Sequence, residues 1–110
     1  MKGDRIGEFE ELTLLAVRAL GDDAYAVAVQ VFVERETGRD VAMGAVYSAL
    51  DRLERKGFVR STLGEPTPER GGKPKRFYAV TAPGMRGLAE LRRVRDGIWR
   101  AIETNDGRSR

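Results

Sequence analysis

Histidine and cysteine are both absent from this chain of 110 residues. Their absence excludes disulfides, thiolate nucleophiles, Ser-His-Asp triads and zinc sites of the usual nitrogen and sulfur kind. Carboxylates are then the only strong side-chain metal ligands, so neither a metal nor another cofactor is expected. Aromatic residues are scarce, with a single tryptophan, Trp99. No apolar run approaches the roughly 18 residues that a membrane helix requires. The opening Met1-Lys2-Gly3-Asp4-Arg5 leads to acidic Glu8 and Glu10 rather than to the apolar stretch of a signal peptide. A cytoplasmic protein with no membrane partner is the expectation. Catalysis has little to work with either. The acid pairs Glu10-Glu11 and Asp22-Asp23 are adjacent in sequence, and neighbours on a helix point in different directions. No catalytic residue is assigned, and the chain is not expected to be an enzyme.

What is present suits one domain: the length is ordinary for a single core, and 41% hydrophobic with 34% charged residues is a globular composition. Charge is unevenly distributed. Residues 1–51 hold 5 basic and 10 acidic side chains, residues 52–78 hold 8 and 3, and residues 79–110 hold 7 and 4. A compact basic segment in a nearly neutral protein is the footprint of a chain that sits on a polyanion, although a solvated basic loop would look the same. Spacing has to decide between them.

From Glu8 to Leu20, Phe9, Leu12, Leu15, Ala16, Ala19 and Leu20 fall at helical spacing, and Leu14 and Val17 add apolar cover on the other side. A helix so apolar around its girth is expected to be buried on two faces. Gly21 ends it, and Asp22-Asp23 offer a capping carboxylate to a second helix with Tyr25, Val29, Phe32 and Val33 on one stripe, closed by Gly38. After Arg39-Asp40-Val41 a third helix runs from about Met43 to Lys56, with Gly57 as its stop. The tight link between the second and third helices is what a helix-turn-helix needs. Beyond Gly57 the pattern changes: Phe58–Leu63 and Arg76–Val80 read as strands. Between them, residues 64–75 hold three prolines, three glycines and three basic residues, the tip of a basic hairpin. Thr81 caps a last helix that tolerates Pro83 in its first turn. Leu88, Leu91, Val94, Ile98, Ala101 and Ile102 share an arc of it, with Trp99 at the edge and Arg95 as a charged exception. The segment 104–110 is expected to be a flexible tail.

The fold class is therefore mainly α with a small β-hairpin, a winged helix-turn-helix followed by a C-terminal helix. Such an arrangement can place one helix in the major groove while the hairpin reaches the neighbouring backbone or the minor groove. On the third helix the side opposite Val46, Leu50 and Leu53 carries Gly44, Ala45, Ser48, Asp51, Arg52 and Arg55. Small Gly44 and Ala45 let the backbone approach DNA, Ser48 can bond a base or phosphate, and Arg52 can reach phosphate or guanine. Tyr47 borders this face, where its hydroxyl could meet a phosphate. Arg70, Lys73, Lys75 and Arg76 are the candidate DNA contacts of the hairpin.

The ordered set Gly7-Glu8-Phe9-Glu10 with Leu12 and Leu14-Leu15, Asp23-Ala24-Tyr25, Met43-Gly44-Ala45-Val46-Tyr47, Leu50, Leu53-Glu54, Lys56-Gly57 and Val59 closely resembles the PadR family of transcriptional regulators. It continues through Arg70-Gly71-Gly72, Lys75-Arg76-Phe77-Tyr78 and Thr81-Ala82-Pro83-Gly84, and so covers roughly residues 6–103. The resemblance implies a homodimeric repressor on a pseudo-palindromic site. Residues 6–81 would bind double-stranded DNA, and 82–103 would form a dimerisation helix. It implies an interface between first and last helices, to which Phe9, Leu12, Leu91, Val94, Ile98, Trp99 and Ile102 are assigned. A chain ending one helix after the hairpin looks like the short subfamily. Some short members take flat aromatic or cationic molecules at the dimer interface against a tryptophan. Trp99 and Arg95 are thus candidate contacts for a small hydrophobic ligand, the alternative for Trp99 being a plain dimer anchor. A second function class stays open: an interaction module that keeps the scaffold without binding DNA.

Overall fold

The computed structural model describes residues 5–66 and 73–108. Four helices and one hairpin follow the expected order: α1 (Glu8–Leu20), α2 (Ala26–Thr37), α3 (Met43–Arg55), β1 (Val59–Pro66), β2 (Pro74–Val80) and α4 (Ala82–Arg108), with a 3-10 turn at Gly21–Asp23.

α1 opens with half a capping box: the Gly7 N–H donates to Glu10 Oε1 at 2.9 Å, satisfying a donor that the helix itself cannot. Its buried face is Glu10, Thr13, Leu14, Ala16 and Val17. The expected stripe instead faces outward in part, since Phe9 and Leu20 pack on the core while Leu15 and Ala19 are exposed. Burial on both faces is therefore not reached within one chain. Leu14 and Val17, rather than Leu12 and Leu15, meet α2 and α3.

Asp22 and Asp23 do not cap α2. They lie in the 3-10 turn, and the residue before α2 is Tyr25, in extended conformation with no side-chain cap. Tyr25 also leaves the helical stripe expected of it. It forms an isolated antiparallel bridge with Phe77, and the Tyr78 N–H donates to the Ala24 carbonyl at 2.8 Å. The link between α2 and α3 is held by α2 side chains: Gln30 Nε2 donates to the Val41 carbonyl at 2.7 Å, and the Val41 N–H donates to Glu34 Oε2 at 2.9 Å. These bonds satisfy backbone groups that a short connection would leave unpaired.

α3 anchors itself through Val46, Leu50 and Leu53, all fully buried with Leu14, Val17 and Val29. Burying those three α3 side chains contributes roughly 5–9 kcal/mol, enough to hold the opposite face of α3 in one orientation. Gly57 follows with φ 82°, a backbone conformation that favours glycine. The strands pair antiparallel from Val59↔Val80 to Leu63↔Arg76, then shift register before Pro66↔Pro74. Thr81 caps α4 as expected: its hydroxyl accepts from the Gly84 N–H at 3.1 Å and donates to the Gly57 carbonyl at 2.7 Å. Gly84 passes so close to Phe58, just before β1, and to the end of β2 that a Cβ there would strike the Phe58 carbonyl oxygen and lie 2.8 Å from Val80 Cγ1.

α4 extends to Arg108, past the expected start of a tail at 104, although Thr104, Asn105, Asp106 and Gly107 are weak helix formers. At 1.5 Å per residue its 27 residues span about 40 Å. Its first turns meet the core through buried Gly84 and Leu88, Arg95 still pairs with Glu11 of α1, and the turns beyond project outward. The molecule accordingly measures 63 Å along its longest axis against 31 and 21 Å across.

Candidate nucleic-acid interface

Because α3 buries Val46, Ala49, Leu50 and Leu53, its remaining arc faces solvent: Gly44, Ala45, Tyr47, Ser48, Asp51, Arg52 and Arg55 are all exposed. Asp51 does not stand as a bare anion on that arc, since Arg55 pairs with it at 3.2 Å. Tyr47, 55% exposed, leans toward β2. There, a cleft of about 230 Å3 is lined by Tyr25, Ala26, Val27, Tyr47, Lys75, Arg76 and Tyr78, where the start of α2, α3 and the hairpin converge.

Two of the hairpin cations are tied to the body of the domain. Lys75 Nζ stands 4.0 Å above the Tyr25 ring, itself edge-on to Phe77 at 5.8 Å. Arg76 Nη1 donates to the Ser61 hydroxyl at 3.0 Å, which donates to Glu54 Oε2 on α3 at 2.7 Å. That chain fixes the hairpin relative to α3. Lys73 is exposed, and Arg70 lies outside the described residues. Burial pushes the Tyr78 hydroxyl above its ordinary pKa, with Glu54, Tyr47 and Asp51 adding to the rise against Arg76, so it stays a neutral donor. Nothing local in the sequence marks Tyr25 and Tyr78 as members of this cleft, because the β bridge that brings Tyr25 to β2 leaves no periodic pattern.

On the opposite flank of α3 lies a group that periodicity does not reveal. Glu10 is only 5% exposed, although it is a carboxylate. Arg52 Nε donates to its Oε2 at 2.8 Å, Lys56 Nζ to its two oxygens at 2.9 and 3.1 Å, and Lys56 also to the Arg5 carbonyl at 2.6 Å. Burial pushes the carboxyl pKa up, but the Gly7 N–H, Lys56 and Arg52 outweigh it and hold it at about 2. Arg52 is therefore not a free arm of α3: its guanidinium is bound at one edge inside the fold. The only sequence signal for this is Glu10 at the third position of α1 behind Gly7, a capping position.

The apolar arc of α4 is open. Val94, Ile98, Trp99 and Ile102 are exposed, Ile98 and Trp99 at 57% and 61%, whereas Leu91, Leu12 and Phe9 are half-buried and Phe9 already packs on the core. Arg95 is engaged: Glu11 accepts from its Nη2 at 2.7 Å and its Nε at 3.3 Å. Among the described residues no group of His, Cys, Asp and Glu is arranged to hold a metal, and no helix is long and apolar enough to cross a membrane.

The sequence pattern of the transcriptional regulator PadR-like family matches residues 14–90. No protein of curated function matches the chain. Among solved structures, a PadR-like transcription factor from Bacteroides fragilis superposes with a TM-score of 0.72 at 23% identity, covering 87% of each chain. A PadR-like transcriptional regulator from Bacillus cereus gives 0.70 at 17% identity, covering 87% of this chain and 88% of that one. A PadR family transcriptional regulator from Eggerthella lenta gives 0.61 at 25% identity, covering 88% and 79%. These likenesses support the winged-helix fold and the C-terminal helix.

Proposed function

The chain belongs to the PadR-like family of transcriptional regulators, and on that premise we propose that it represses transcription by binding duplex DNA as a homodimer. The observation that carries this reading is the outward arc of α3, in which small Gly44 and Ala45 precede Ser48 beside a basic hairpin tied to α3 through Glu54, Ser61 and Arg76. A helix with so little bulk on its leading turn can enter the major groove closely enough for Ser48 to reach a base edge. Tyr47, Lys73, Lys75 and Arg76, with Arg70 at the hairpin tip, then meet the backbone to one side. Residues 6–81 carry this unit.

The homodimer is assigned to residues 82–103 of α4, together with α1. Val94, Ile98, Trp99 and Ile102 form an apolar stripe that a lone chain leaves in water, and half-buried Leu12, Leu91 and Phe9 are assigned to the same interface. One unit with a few phosphate contacts would bind non-specifically, with Kd on the order of 10⁻⁴–10⁻⁶ M. Two units joined rigidly add their contacts across half-sites about 34 Å apart, hence a pseudo-palindrome. Trp99 offers a flat face at that junction for a small aromatic ligand that would relieve repression.

Selection of bound fragments from genomic DNA tests the reading and is expected to return a pseudo-palindromic site. A Lys73→Ala, Lys75→Ala double variant is expected to weaken binding across all sequences, with a salt slope shallower by about 1 for each phosphate that is no longer neutralised. A flat selection profile overturns DNA recognition in favour of an interaction module. A double variant as tight as the parent, with the same slope, removes the hairpin from the interface.

A further inference from the structure

We propose that Glu10 is a positioning residue for DNA binding: from inside the fold it holds Arg52 by Nε, so that the guanidinium's outer edge, in the groove that Arg5 also lines, takes a backbone phosphate on the α1 side of α3. The proposal rests on the DNA-binding reading above and adds to it a contact opposite the hairpin.

The geometry is specific about which edge is free. Arg95 grips Glu11 with a two-pronged fork, Nη2 at 2.7 Å and Nε at 3.3 Å. Arg52 does not do the same on Glu10, where Oε1 already accepts from both the Gly7 N–H and Lys56 and only Oε2, shared with Lys56, takes Arg52. Arg52 therefore donates through Nε alone, at 2.8 Å, and its two Nη groups make no hydrogen bond among the described residues. Its side chain is 44% exposed while that of Glu10 is 6% exposed, so the anchor is buried and the free edge is wet. A guanidinium with its Nη groups unpaired presents the planar fork that matches phosphate oxygens.

Charge and place agree with that chemistry. Arg52 and Lys56 pair with the single carboxylate of Glu10, and Arg5 joins them, with Gly7 and Phe9, in lining one groove of about 350 Å3, three cations against one anion. Arg52 follows Tyr47 by five residues, which at 100° per residue separates them by roughly 140° around α3. Tyr47 leans to the hairpin and Arg52 to α1. A helix in the major groove, roughly 12 Å wide, lies between two phosphate backbones. The hairpin attends one, and the Arg52 groove meets the other.

Electrostatics and positioning predict opposite signs for the loss of Glu10. Removing a carboxylate close to DNA would by electrostatics alone tighten binding, whereas removing a positioning carboxylate loosens it. Binding of the full chain to a fluorescent duplex of random sequence is measured over a salt series, since a phosphate contact needs no particular operator. Glu10→Gln is expected to bind roughly three- to tenfold more weakly, with a salt slope shallower by about 1, and to add no further loss in an Arg52→Ala background. Arg52→Lys, which keeps the charge and leaves Glu10 in place, is expected to weaken binding with the same uniform effect, and it decides the matter if Glu10→Gln does not fold. Tighter binding by folded Glu10→Gln overturns the proposal, as does an Arg52→Lys variant indistinguishable from the parent. An Arg52→Lys variant with altered base preference on selected fragments overturns the phosphate assignment. A parent chain that binds no duplex overturns the DNA-binding reading, and this inference with it.

Discussion

Glu10 makes acid stability a quantitative test of the fold. Its carboxyl is held at about 2 against an ordinary 4.5, because the Gly7 N–H and the two cations overcome the opposing effect of burial. Folding thus favours the ionised form, and the group's contribution is complete above the unfolded pKa and lost as pH falls through the folded one. The difference between the two values corresponds to roughly 3 kcal/mol at pH 7, shrinking to about 1 kcal/mol at pH 3 and almost nothing below pH 2. Glutamine cannot ionise, so Glu10→Gln should lose close to 3 kcal/mol at neutrality, and the gap to the parent should close in acid. Urea unfolding followed by circular dichroism at several pH values measures this, at one protein concentration because a dimer's stability depends on it. Two stability curves that run parallel from pH 7 to pH 3 would refute the reasoning: Glu10 would then be held by packing rather than by its charge.

Two further outcomes follow from packing. Gly84→Ala forces a Cβ against the Phe58 carbonyl and Val80, so it should destabilise the fold by about 1–3 kcal/mol, seen as a lowered Tm with unchanged helical content. Ile98→Asp places a charge in the exposed α4 stripe, and sedimentation should show the parent as a dimer and the variant as a monomer; a variant that stays dimeric would move the interface elsewhere.

Much of the scaffold is legible from neighbours in sequence. The buried stripe of α3, the glycine that stops it, the Thr81 cap and the exposed arc with Gly44, Ala45 and Ser48 all follow from 3.6-residue periodicity and residue chemistry, which act within a turn or two. Local pattern misleads where distant segments meet. Tyr25 looks like one more apolar residue of α2 until Phe77 pairs with it, and Asp22-Asp23 look like a cap until the chain folds into a 3-10 turn. On α1 the abundance of leucine hides which side faces inward: Leu14 and Val17 win because α2 and α3 cover them, and Leu15 is left in water.

The sequence by itself determined the elements, their order, the basic character of the hairpin region and the family pattern, because each depends on composition or on contacts along the chain. Only the tertiary structure decided which charges are free. Arg52 and Lys56 lie 42 and 46 residues from Glu10, and Arg95 lies 84 from Glu11. No periodicity encodes such pairings, since they arise when the start of α1 is carried against α3 and α4. Burial works against the ionised Glu10, and only the Gly7 N–H, Lys56 and Arg52, brought together by the tertiary fold, outweigh it and keep the carboxylate an anion.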